Sequence, residues 1–156
     1  LASNVDETLN IISDLTTQEK EILSNFKYRK NKAVIHSDES SMPKNRKAWC
    51  SWNSSLNPKN NQQSSVTYWL NQLQNLKIDK NIFLTINPFF NINPDLIYNT
   101  IDFTHPYYDQ KALENQSKLR SIQNINNTLY AGSYFGYGFH EDGIKSSIEM
   151  LKTLND

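Results

Sequence analysis

No glycine occurs in the first 131 residues of this chain; all four stand at Gly132, Gly136, Gly138 and Gly143. Glycine serves where a backbone needs positive φ or must approach another group closely. The chain therefore concentrates its freest backbone in one stretch, AGSYFGYGFHEDG. An amphipathic pattern follows directly, with Ile144, Ile148 and Leu151 at helical spacing. The pattern predicts a strand, a glycine-rich loop and a helix at that place.

The rest of the chain bounds the class. With 156 residues, 37% hydrophobic and 21% charged, it suits a folded domain with a real core rather than a disordered chain. A formal net charge of zero lacks the basic excess of a nucleic-acid binder. The single cysteine, Cys50, excludes an internal disulfide framework and a cysteine-based zinc site, and fits a reducing, cytoplasmic setting. No apolar run approaches the length of a membrane span, so no transmembrane segment is expected. The opening LASNVDETLN has neither an initiator Met nor a signal pattern, and VDETLNIISD reads as mid-helix; the chain is expected to be a piece of something longer. The abundance of Asn and Lys reads as codon bias without functional meaning.

Val5, Leu9 and Ile12 predict a first helix. Thr16 and Glu19 have the spacing of a capping box for a second, whose buried stripe is Ile22, Leu23 and Phe26. KAVIHSD, KAWCSWN, VTYWL, NIFLTINP and YNTIDFTHP read as strands, the last stopping at Pro106. Residues 57–65, polar with Pro58, read as a loop. Ala112, Leu113, Gln116, Leu119 and Ile122 predict one amphipathic helix from Asp109 to about Ile122, and NTLYAG a short strand before the glycines. Strands in succession predict an antiparallel or mixed sheet in an α+β arrangement.

Several residues carry candidate chemistry, each beside a plainer role. A helix N-terminus offers unpaired N–H groups and about half a positive charge, so the glycine corner is either a ligand cradle or a tight turn. Glu141 and Asp142 suit the dipole of the helix they begin, and as adjacent residues they diverge too far for a catalytic pair. His36, His105 and His140 lack any metal-ligand spacing, so no metal is expected. His140, inside the glycine unit, is either a site residue or a helix-start residue bonded to backbone. Trp49, Trp52, Tyr68, Trp69, Phe89, Phe90, Tyr107 and Tyr108 make the middle aromatic, as sheet core or as the lining of an apolar cavity.

YAGSYFGYGFHEDGIKSSIEML resembles the C-terminal flavin-binding segment of the amine-oxidase-like FAD-dependent oxidoreductases. Within them it is most similar to a bacterial group described as predicted NAD/FAD-binding proteins. The likeness extends upstream through VIHSDESSMPKNRKAWCSWN, VTYWLNQLQNL, FLTINP, HPYYD and RSIQ. The resemblance implies a fragment of a larger α/β flavoprotein. Residues 1–125 would be part of the substrate-binding domain, and 126–156 the strand and helix that complete a Rossmann-like FAD domain. The missing partner would be the N-terminal dinucleotide-binding half, with its glycine fingerprint. Ala131, Gly132 and Ser133 would lie near the pyrophosphate and ribityl chain of FAD. Gly138, Phe139, His140, Glu141, Asp142 and Gly143 would pass the flavin ring, and Gly136 and Tyr137 would belong to the same cofactor-binding segment. The implied activity passes hydride from substrate to flavin N5 and needs no identified catalytic base. The substrate would be a small molecule, apolar or lipid-like, and the setting cytoplasmic or membrane-peripheral. Two departures stand out: Ser146-Ser147 replaces the usual small pair with glycine, and Ser133 replaces an acidic residue. The alternative is a stand-alone domain that binds a small apolar or sugar ligand through its aromatic middle; a non-catalytic relative of the flavoproteins is a third reading.

Overall fold

A computed structural model describes residues 1–153. The chain forms two compact units, residues 1–29 with 105–156 and residues 30–104. The architecture is mixed: the chain contains both helices and one five-stranded sheet.

In the first unit, α1 (Val5–Ile11) and α2 (Thr17–Leu23) form where expected. Thr16 caps α2: its hydroxyl oxygen accepts from Glu19 N at 3.2 Å, while Glu19 Oε2 accepts from Thr16 N at 2.8 Å. Val5, Leu23, Leu119 and Ile122 are fully buried together with Phe26, Tyr130 and Tyr134. The expected helix over 109–122 is shorter and breaks. It is α4 (Gln110–Gln116), capped by Asp109 and followed by a 3₁₀ turn at Leu119–Ile122. Leu113 is exposed, while Ala112, Leu119 and Ile122 are buried. NTLYAG is not a regular strand. It forms an isolated bridge between Ile125 and Thr128, and beyond that Ala131 N donates to Leu1 O at 2.9 Å.

In the second unit the sheet has two unlike faces. The strands are β1 (Lys27–His36), β2 (Trp52–Asn57), β3 (Asn60–Trp69), β4 (Phe83–Ile86) and β5 (Ile97–Tyr107); β1 and β5 run on past the unit's bounds. The β2–β3, β3–β4 and β4–β1 pairings are antiparallel. Registry places Trp69, Phe83 and His36 in one row and Asn53, Thr67, Thr85 and Val34 in the next, all on one face. Phe83, His36, Thr67 and Thr85 are fully buried there. The opposite face carries the row Trp52, Tyr68, Leu84, Ile35.

Two strand expectations shift. KAWCSWN begins as a 3₁₀ turn at Arg46–Ala48, because Asn45 Oδ1 accepts from Lys47 N and Trp49 Nε1 donates to Pro43 O at 2.8 Å. Only from Trp52 is the backbone extended. The polar stretch 57–65 is no loop: Pro58 and Lys59 make a two-residue turn and β3 starts at Asn60. Its exposed residues need no apolar pattern to pair with β2. The sheet order is β2-β3-β4-β1-β5, and Pro106 lies within β5 at one edge, a position where proline is tolerated.

The tight turns of a chain without early glycines fall to asparagine. Asn75, Asn87, Asn124, Asn126 and Asn127 all have φ between 49° and 62°. Asparagine tolerates this left-handed region better than other non-glycine residues. Part of the asparagine content thus has a structural use, which the codon-bias reading missed.

The buried Glu19 carboxylate also accepts the Tyr130 hydroxyl at 2.6 Å. Burial pushes its pKa up, but the bonds from Tyr130 and Thr16 outweigh this and hold it below the ordinary value. A carboxyl depressed on folding adds stability above its ordinary range that is lost as pH falls through its folded value. Tyr130→Phe should cost roughly 1.5–3 kcal/mol at neutral pH, as a hydrogen bond to a charged group does. It should also flatten the acid side of the stability profile, both read from urea midpoints across pH.

Candidate functional site

The glycine corner lies wholly in the first unit. Ala131 and Tyr130 are buried at its entrance. Gly132 follows, and its N–H donates to Ser146 Oγ at 2.9 Å on α5 (His140–Lys152). Ser146 Oγ in turn donates to Gly143 O at 2.7 Å. Ser146 is buried, so this small side chain marks where the helix meets the loop. Ser133, Tyr134 and Phe135 make a 3₁₀ turn, with Tyr134 buried against Phe26 at a ring-centroid distance of 5.5 Å.

The loop braces itself. Ser133 O accepts from Gly136 N at 3.1 Å and Gly138 N at 3.2 Å. Asp142 Oδ2 accepts from Tyr137 N and Phe139 N, each at 3.0 Å. Gln116 on α4 donates to Tyr134 O at 3.1 Å and to Gly136 O at 2.6 Å. Gly138 has φ +94°, and an added Cβ would lie 3.1 Å from the Tyr108 hydroxyl. At Gly136 a Cβ would collide with the Asp142 carboxylate. These two glycines are required by the turn itself. Gly143 is different, since a Cβ there would meet only Ser133 N at 3.7 Å.

Asp142 and Glu141 thus diverge, as their adjacency implies. Asp142 closes the loop, while Glu141 is exposed and pairs with Lys145 at 3.7 Å. His140 is exposed at the helix start. Tyr137 and Phe139 project outward, 81% and 69% exposed. Ile144, Ile148 and Leu151, expected as a buried stripe, are each more than half exposed. Here periodicity identified the helix correctly but not what its apolar face rests on.

FAD carries phosphates and a ring that becomes electron-rich on reduction. The corner tests as a partial match. Most loop N–H groups are already taken by Ser133, Asp142 and Ser146. The first-turn N–H groups of His140 and Glu141 have no intrahelical acceptor, and they lie at the positive end of the α5 dipole. A loop that holds its shape through its own bonds presents those donors without reorganising. In that respect the residues fit a flavin ring at the helix start.

Two participants escaped the sequence reading. Gln116 was assigned to a helix stripe, yet its amide is the outer brace of the loop. Tyr108 lies under Gly138, and burial pushes its hydroxyl up to about 12. No spacing signal connects either residue with the glycines. Beside them, a groove of about 480 Å³ lies along α5, lined by Gln116, Arg120, Gln123, Lys145, Ser146 and Glu149. Arg120 reaches Glu149 across it at 3.8 Å.

On the second unit, Trp52 is 64% exposed and meets Tyr68 edge-on at 5.0 Å. Trp49 instead turns inward, edge-on to both Trp69 and Phe83. The aromatic middle is therefore divided between core and surface. Among the described residues no cluster of His, Cys, Asp and Glu could hold a metal, and no helix is long and apolar enough to cross a membrane. No protein-family model matches the chain, and no curated protein matches it either.

Gly138→Ala should cost roughly 1–3 kcal/mol, the usual range for a strained φ. Gly143→Ala should be neutral or add about 0.5–1 kcal/mol, because glycine weakens a helix interior. Thermal or urea unfolding of the two variants checks the contrast. Equal losses would mean that the loop does not depend on the backbone of Gly138.

Proposed function

We propose that this chain is the C-terminal portion of an FAD-dependent oxidoreductase of the amine oxidase or desaturase kind. The observation that carries the reading is the corner itself. The string GYGFHEDG, on which the family resemblance rests, folds as a self-braced loop seated on a helix start by Gly132 and Ser146. FAD, when bound, would supply the hydride acceptor.

The chain's own part follows from its residues. Gly138 permits the turn that brings the loop to the start of α5. Asp142 and Gln116 keep that turn rigid. The N–H groups of His140 and Glu141, with the helix dipole, would favour negative charge beside them. The row Trp52, Tyr68, Leu84, Ile35 contains no charged side chain and suits an apolar substrate. The phosphate-binding glycine fingerprint would come from an N-terminal dinucleotide-binding half, since residues 1–156 contain no GxGxxG.

A second reading, a binding domain for a small apolar or sugar ligand, is favoured by one observation. The exposed Trp52–Tyr68 pair is a ready stacking surface within a unit compact in itself.

Purification of the complete reading frame that contains this chain distinguishes the two. Flavin absorption, with FAD identified after acid release, is the expected result. Gly138→Val should lower flavin occupancy at least tenfold, and residues 1–156 alone should not retain FAD through gel filtration. A colourless complete protein, whose tryptophan fluorescence still responds to an apolar or sugar ligand, would favour the second reading.

A further inference from the structure

His36 ends β1 on the covered face of the sheet and is fully buried. Both ring nitrogens are engaged. Nδ1 accepts from the backbone N–H of Asp38 at 3.1 Å, so the neutral ring carries its proton on Nε2. Nε2 then donates to Thr85 Oγ1 at 2.8 Å, and Thr85 lies 2.9 Å from Thr67 Oγ1. Asp38 begins the turn that follows. Its carboxylate accepts from Ser40 N at 2.9 Å and from Asn93 N at 2.8 Å, and its carbonyl accepts from Ser41 Oγ at 2.9 Å. Met42, at the end of this turn, and Ile92, next to Asn93, are both buried. One imidazole nitrogen thus holds the turn, and the turn holds the Asn93 loop.

We propose that His36 is an acid-sensitive latch, whose protonation at Nδ1 releases the Asp38–Met42 turn and the Asn93 loop from the sheet. A charged ring has N–H groups at both nitrogens, so Nδ1 would face the Asp38 N–H donor to donor. Thr85 and Phe83 on β4, and Thr67 on β3, bring no charge to the ring. The Asp38 carboxylate is the charged group acting on it. Further along the turn, Glu39 and Arg46 pair with each other at 4.0 Å. Burial pushes the ring's pKa below its ordinary value, against the pull of Asp38. The neutral form is therefore the folded form. Its stabilisation is complete above the ordinary imidazole range and is lost as pH falls through that range to the lower folded value.

Amide hydrogen exchange of the whole chain across that range, corrected for intrinsic rates, tests the latch. Protection at Asp38, Ser40 and Asn93 should fall by about tenfold per pH unit, the slope of a single-proton opening. The β1–β4 ladder and α2 should stay protected. His36→Asn should remove this pH dependence. Should that variant not fold, imidazole nitrogen NMR of the native chain replaces it, with ring protonation expected over the same pH interval as the lost protection. The latch is overturned if protection at the three amides does not change with pH. It is equally overturned if protection falls across both units together, if His36→Asn keeps the same profile, or if the ring titrates while the turn stays closed.

Discussion

The buried carboxylate of Glu19 is the contact on which the first unit depends. It completes the cap of α2 through Thr16 and binds the Tyr130 hydroxyl, 111 residues away in sequence. A buried charge is tolerated only when its acceptor sites are filled, and here donors from both ends of the chain fill them. Tyr130 is thereby set immediately before Ala131 and Gly132. The glycine corner begins at that fixed point, and Gln123, which accepts from Tyr130 N and donates to Tyr130 O, holds the same residue from the other side.

From there the corner is built by polar bonds more than by apolar packing. Ser146 seats it on the helix, Asp142 ties the loop to the helix start, and Gln116 braces it from α4. Such bonds are directional and give the loop one shape. A flavin reading asks for this rigidity, since donors at a helix start help a developing charge only when they are already in place. The same bonds use up several donors that the sequence suggests for a ligand, leaving those of His140 and Glu141.

The second unit divides its chemistry by strand parity. Residues that alternate along β1, β3 and β4 place hydroxyls and His36 under the covering turn, and aliphatic and aromatic side chains on the other face. The buried row is polar but largely paired, which makes it specific and also sensitive to a change in protonation. The row Trp52, Tyr68, Leu84, Ile35 on the other face carries no charge, so an apolar ligand could rest on it without stranding one.

The capping box at Thr16, the strands around Val34 and Phe83 and the helix α5 were legible in the sequence, because each shows in a local pattern: a cap spacing, a β-branched or aromatic run, or helical periodicity. So was the need for glycine at Gly138, though not its cause in the turn beside Tyr108. The loop reading of residues 57–65 failed because the polar first half of β3 pairs with β2 through backbone and shows no apolar alternation. The strand in KAWCSWN was displaced because side-chain bonds from Asn45 and Trp49 hold the 3₁₀ turn. By itself, then, the sequence determined local backbone choices and the place of the glycine corner. Only the tertiary structure decided that Gln116 and Asp142 brace that corner, that Ser146 is its contact with the helix, and that Ile144 and Ile148 face outward. Those outcomes depend on which distant residues meet, and periodicity along one segment carries no information about its partner.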